Sequence, residues 1–138
     1  MKQTLAPGLV HEGTLTVTDD LTVPQVSAHL AAFSDMPSVF ATAYMVGFIE
    51  ATCIECIQDH LDEGEHSVGT HVDVSHTAAT PVGMVVKAKV RLTEVNRRKL
   101  TFAVEAFDDH GPIGTGSHQR AVIDVERFTA SVREKASC

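Results

Sequence analysis

Two hydrophobic patterns divide the chain. Between Val39 and Leu61 apolar residues crowd nearly every helical position, as in VFATAYMVGFIEA. That density predicts one long helix opening near Pro37, which suits a first helical turn, with Ser34 or Asp35 upstream as caps. It stops near Leu61, where Gly64 is available to close it. Gly47 inside the helix is about 1 kcal/mol less favourable than alanine, which suits a position that neighbouring backbone approaches closely. Beyond Ser67 the pattern alternates residue by residue. Ser67–Ala79, Met84–Val95, Leu100–Phe107 and Ile113–Val125 each predict a strand. PVG at 81–83 and DDHG at 108–111 are the turns between them. Upstream, Thr14–Asp19 alternates Leu15 and Val17 with threonines and predicts a strand after an irregular stretch at 1–12. Val26–Leu30 reads as a short helical turn, AAFSDMPS as an apolar loop, and Glu126–Glu134 as a short terminal helix.

A helix that is apolar on most sides must be wrapped by the sheet. The expected fold is therefore α+β, a hot-dog: one long central helix in a curled antiparallel sheet. The chain, residues 1–138, is expected to form a single domain of this kind. One such layer leaves a sheet edge and one end of the helix uncovered, so a homodimer is expected.

Composition narrows the function. The 138 residues have 43% hydrophobic and 21% charged positions, ordinary for a globular protein, and a net charge of −7. That charge argues against a general nucleic-acid surface, which needs clustered Lys and Arg. The basic cluster Arg97, Arg98 and Lys99 falls where two strands turn and reads as a solvated hairpin tip. No apolar run is long enough to span a membrane, and MKQTLAPG lacks a signal-peptide core. Cytoplasm is the expected compartment. Cys53 and Cys56 form a C-x-x-C inside the long helix rather than at its start, so they read as two buried small residues, not a redox pair. No second C-x-x-C exists to complete a zinc site, and no metal or cofactor is expected. Cys138 reads as exposed and incidental.

Against this background a few polar residues stand out. Glu50 lies among Met45, Val46, Phe48 and Ile49. It is about 140° around the helix from Glu55, which with Asp59 marks the wet side. A carboxylate in an apolar layer needs pairing or neutralisation. His66, His71 and His76 are spaced by five, but odd spacing on a strand sends His71 and His76 to opposite faces. His76 shares the apolar face with Val72 and Val74. A histidine and a carboxylate in one apolar cleft are equipped for proton transfer near neutral pH. Thr42 lies eight residues before Glu50, a rise of about 12 Å on one helix and too far for a hydrogen bond. Either the entry to the helix is bent, or hydroxyl and carboxylate meet across two chains. Gly69, entering the strand, could offer a backbone N–H to an oxyanion. Gly114 and Gly116 make a G-x-G with no following helix and read as close packing over the long helix. Arg120, beside Ala121, Val122 and Ile123, either reaches solvent or neutralises a carboxylate, for which Glu50 is the candidate.

The blocks VFATAYMVGFIEATC, GEHSVGTHVDVSHTAATPVGM and IGTGSHQRAVI resemble the fluoroacetyl-CoA-specific thioesterase group of hot-dog acyl-CoA thioesterases. The likeness spans Thr14 to Arg133. It implies a homodimer hydrolysing short acyl-CoA thioesters, with a catalytic threonine, glutamate and histidine at Thr42, Glu50 and His76. It also implies acyl-group contacts at Gly69 and Arg120. Of two lid phenylalanines in the family, Phe33 matches one, and Met36 stands at the other. In the implied reaction Glu50 attacks the thioester carbonyl or orients a water, His76 moves the proton and Thr42 holds the register. The rivals are an acyl-thioester hydratase or dehydratase, and a non-catalytic acyl-CoA binding module. Only hydrolysis releases free CoA thiol.

Overall fold

The inward alternation of two central strands decides the architecture. In β3 (Val85–Asn96) the side chains of Val86, Ala88, Val90 and Leu92 are buried, while Lys87, Lys89 and Arg91 face out. In β4 (Lys99–Asp108) Leu100, Phe102, Val104 and Ala106 are buried in the same way. Flanking them are β1 (Val10–Thr16), β2 (Glu65–Val74) and β5 (Gly111–Asp124). All pairings are antiparallel, in the order β1-β3-β4-β5-β2. The long helix α1 (Thr42–Ile57) lies in the curl of this sheet and buries Met45, Ile49, Cys53, Cys56 and Ile57 against it. Removing each of Met45, Ile49 and Ile57 from water contributes about 1.5–3 kcal/mol. This is the hot-dog fold, in a computed structural model that describes residues 1–137. Cys138 lies outside the described residues.

The helix differs from the sequence expectation at both ends. It starts at Thr42 rather than near Pro37. The preceding residues are extended because their backbone is claimed by two other segments. Val39 O accepts from Val23 N, Ala41 N donates to Leu21 O, and Phe40 N donates to Thr80 O. At the other end α1 stops at Ile57 and tightens into a 3-10 turn, Gln58–His60. Gly64, with φ +84°, serves the turn into β2 instead of capping the helix. Nor is the helix wrapped on all sides. Ala43, Gly47, Ala51 and Ile54 form an exposed stripe, and a Cβ added at Gly47 would meet nothing within 4 Å. The close neighbour expected at Gly47 is thus not supplied by this chain.

The strands also differ in detail. β1 begins at Val10, inside the stretch expected to be irregular. Its inward positions include His11 and Gly13, which do not read as apolar. His11 bonds Glu55 on α1, and Gly13 leaves room for Thr52 and Phe48. Val26–Leu30 is not helical; the 3-10 turns between β1 and α1 are Asp19–Leu21, Val23–Gln25 and Ala31–Phe33. β2 ends at Val74, yet Ser75 N and Thr77 N still donate to Thr115 O and Ile113 O of β5. Its register against β5 shifts between Gly69 and His71, so Thr70 is a bulge residue. The bulge breaks the simple alternation, and Val72 is 44% exposed rather than turned inward. Gly116 admits the β2 backbone at Asp73, and Gly114 admits the backbone of Ser75 just beyond β2. The nearest atoms are mostly strand backbone, with the Met45 methyl of α1 beside Gly114, so the closest packing is strand on strand. Arg97, at φ +57°, forms the hairpin tip between β3 and β4. The terminal helix α2 (Val125–Ser137) buries no residue.

Candidate active site

Two polar groups sit on the inner side of the sheet, two helical turns apart. The first is built around Glu50. Its position on α1 points it at β2, where Gly69 has no side chain. A Cβ at Gly69 would lie 2.4 Å from Glu50 Oε1, so the missing methyl is the space that the carboxylate occupies. Arg120, paired with Gly69 across the β2–β5 ladder, points inward and is only 4% exposed. Its Nη1 donates to Glu50 Oε1 at 3.2 Å, so Arg120 neutralises the carboxylate rather than reaching solvent.

Arg120 is itself fixed. Its Nε donates to Ser67 Oγ at 2.8 Å and its Nη2 to Ser67 O at 2.9 Å. Nη1 also donates to His118 Nε2 at 3.1 Å. Four contacts through a planar fork hold the guanidinium in one orientation. His118 is 1% exposed, and its Nδ1 donates to His71 O at 2.7 Å. With Nδ1 donating and Nε2 accepting, the imidazole is neutral. Burial holds its pKa below the ordinary imidazole value. The His71 carbonyl opposes this, and the Arg120 charge reinforces it. Among the described residues no hydrogen bond engages the second oxygen of Glu50, Oε2.

The second group is Thr42 with His76. Thr42 is the first residue of α1, and its Oγ1 hydrogen-bonds His76 Nδ1 at 2.7 Å. His76 follows β2 in the extended segment held to β5 at Ser75 and Thr77. The Phe40 ring stands edge-on to the imidazole, with centroids 6.5 Å apart. Phe40 is placed there by its bond to Thr80, whose hydroxyl donates to Asp108 at 2.7 Å. His76 Nε2 is buried and has no hydrogen-bond partner among the described residues. Burial lowers its pKa, and only a weaker interaction with the Ala78 backbone opposes that. The result is a neutral imidazole with one nitrogen on a hydroxyl and the other unengaged, suited to accept a proton.

The chain therefore brings together Glu50, Gly69 and Arg120, and separately Thr42 and His76. It does not bring Glu50 to His76. Thr42 and Glu50 lie on one uninterrupted helix, about 12 Å apart along its axis, so the bent entry that could have joined them is absent. Phe33 closes the 3-10 turn Ala31–Phe33, and Met36 N donates to Phe33 O. Met36 is 49% exposed, so this apolar loop is uncovered in the single chain. Sequence reasoning missed Ser67 and His118. The available signal for His118 was parity: it lies two residues before Arg120 on one strand, so both point to the same side. No group of three or more His, Cys, Asp or Glu side chains among the described residues is arranged to hold a metal ion.

Comparison with known proteins places this geometry in context. Residues 17–126 match the model of the fluoroacetyl-CoA-specific thioesterase family. A fluoroacetyl-CoA thioesterase of Streptantibioticus cattleyicolor is 46% identical over 103 residues, 75% of this chain and 74% of the relative. A solved structure of a threonine-to-serine variant of the fluoroacetyl-CoA thioesterase, in complex with acetyl-CoA, superposes with a TM-score of 0.92. It is 38% identical and covers 95% of this chain and 98% of that one. A thioesterase-superfamily protein of Thermus thermophilus, 24% identical, superposes at 0.86 over 98% of this chain and 96% of its own, which shows the shared fold.

Proposed function

The chain belongs to the fluoroacetyl-CoA-specific thioesterase family, and we propose that it hydrolyses a short-chain acyl-CoA thioester, fluoroacetyl-CoA-like, to the free acid and CoA. The observation that carries this reading is the Glu50 carboxylate. It is lodged in the gap at Gly69, oriented through one oxygen by Arg120, and unengaged at the other. A carboxylate held this way is placed either to attack a thioester carbonyl or to orient a water against it. The Gly69 N–H stabilises the developing oxyanion. His76 takes and returns the proton, and Thr42 fixes the imidazole through the 2.7 Å hydrogen bond. Gly69 and Arg120 face the acyl group, and the loop bearing Phe33 and Met36 closes over it. Methionine is more pliable than a phenyl ring, so this lid fits a broader range of short acyl groups than two phenylalanines would.

The active unit in this reading is a homodimer in the cytoplasm, with Glu50 from one protomer meeting Thr42 and His76 of the other. Three features support it. β2, the strand carrying Gly69, is an open sheet edge. The stripe Ala43, Gly47 and Ala51 on α1 leaves room for close approach by a second chain. The two halves of the catalytic set are separated within one chain. No described helix is long and apolar enough to cross a membrane.

The test is thiol release from a panel of acyl-CoA esters, including fluoroacetyl, acetyl and aromatic ones. Hydrolysis liberates one CoA thiol per ester consumed. A product formed without thiol would replace this reading with a hydratase or dehydratase, and binding without turnover would replace it with a ligand-binding module.

A further inference from the structure

The neutral imidazole beneath the Glu50–Arg120 pair has no part in the reaction described above. His118 is buried on β5 opposite Phe102 of β4, and polar groups face it from three elements. The carbonyl of His71 comes from β2, the guanidinium of Arg120 from its own strand, and Glu50 Oε1 from α1 at 3.6 Å. The His71 carbonyl borders the bulge, where the β2–β5 register shifts past Thr70. It fixes the tautomer, because a ring whose Nδ1 donates leaves Nε2 as an acceptor. That acceptor faces Arg120 Nη1, the same nitrogen that donates to Glu50.

We propose that His118 is a positioning residue for the thioester-cleaving reaction: clamped by the His71 carbonyl, it anchors Arg120 Nη1 and so sets the angle at which Glu50 is presented. This rests on the thioesterase reading above. Without the acceptor, Nη1 has only Glu50 to satisfy it, and the carboxylate is drawn toward the guanidinium and away from substrate. Carboxylate misplacement on the scale of 1 Å lowers turnover by about 100-fold.

Three replacements separate the acceptor from the clamp. Gln carries its carboxamide at the depth of Nε2 and keeps an acceptor for Arg120, while losing the bond to His71. Asn carries its carboxamide at the depth of Nδ1, keeping the His71 bond and losing the acceptor. Leu loses both. Steady-state thiol release is measured for His118→Gln, His118→Asn and His118→Leu, with thermal unfolding in parallel and Glu50→Gln as a reference. The expected result is a fall in kcat of about 100-fold for Leu and Asn, with KM changing far less, and recovery to within about tenfold for Gln. Recovery by Asn but not Gln would make His118 a strand clamp only and overturn the proposal. Three folded variants of wild-type activity would also overturn it, while inactive Glu50→Gln would leave the thioesterase reading standing. An active Glu50→Gln enzyme would remove that reading and the proposal together. Should Leu fail to fold, the Gln and Asn pair alone gives the decision.

Discussion

Replacing Gly69 by alanine isolates the space that Glu50 needs. The added Cβ would stand 2.4 Å from Glu50 Oε1, 3.3 Å from His118 Cε1 and 3.5 Å from Arg120 Nη1. Only the first contact is impossible. Ordinary contact begins near 3.4 Å, so the carboxylate must retreat by about 1 Å. It can do so, because it is the far end of a flexible side chain and 35% exposed. The fold is therefore kept. The loss is a charge-assisted hydrogen bond, worth about 1.5–3 kcal/mol when buried and about 1 kcal/mol after allowance for solvent screening at Glu50. Melting temperature should fall by about 3–5 °C. Turnover should fall far more, by about 100-fold, because the reacting group has moved by about 1 Å. Alanine retains the backbone N–H, so any oxyanion donor at residue 69 is unchanged. Thiol release and thermal unfolding on the same preparation check both numbers. A folded Gly69→Ala enzyme within threefold of wild-type kcat/KM would refute the claim that this glycine exists to seat the carboxylate.

Further outcomes follow from other features. His76→Ala should lose about 100- to 10,000-fold in kcat, the range for a general acid–base, with the fold retained; near-normal thiol release would remove His76 from the reaction. Folded pKa values of His76 and His118 lie below the ordinary 6.5. The unfolded chain therefore binds more protons as pH falls through that region. The stability contribution of the two neutral rings is present above pH 6.5 and is lost as pH drops through their folded values. Denaturant midpoints at pH 7.5 and 5.5 check this, and equal midpoints would contradict it. Gly116→Ala should destabilise by about 1–3 kcal/mol or more, because the new methyl would enter the Asp73 carbonyl; an unchanged midpoint would contradict the close strand packing.

The strands β3 and β4 were legible because one face of each is buried and the other largely wet, which writes the alternation directly into the sequence. The start of α1 was not, since Pro37 satisfies a helix signal while the bonds of Val39, Phe40 and Ala41 to distant loops hold the segment extended. β1 was truncated because its inward residues His11 and Gly13 are paired to α1 by polarity and by missing volume, not by hydrophobicity. Glu50 and Arg120 could be paired from sequence, because each is a charge in apolar surroundings. His118 was hidden in the polar-looking run GSHQRA. Its role depends on a bulge at Thr70 that no local pattern announces.

Subunit mixing addresses the shared site most directly. Glu50→Gln and His76→Ala proteins are each prepared, confirmed inactive, then unfolded and refolded together. With Glu50 and His76 supplied by different protomers, random pairing gives half heterodimers, each with one intact site of two, and thiol release should return to about a quarter of wild type. If heterodimers form and thiol release stays at the level of the separate variants, the two residues do not share a site across protomers, and the account of a composite hydrolase is wrong.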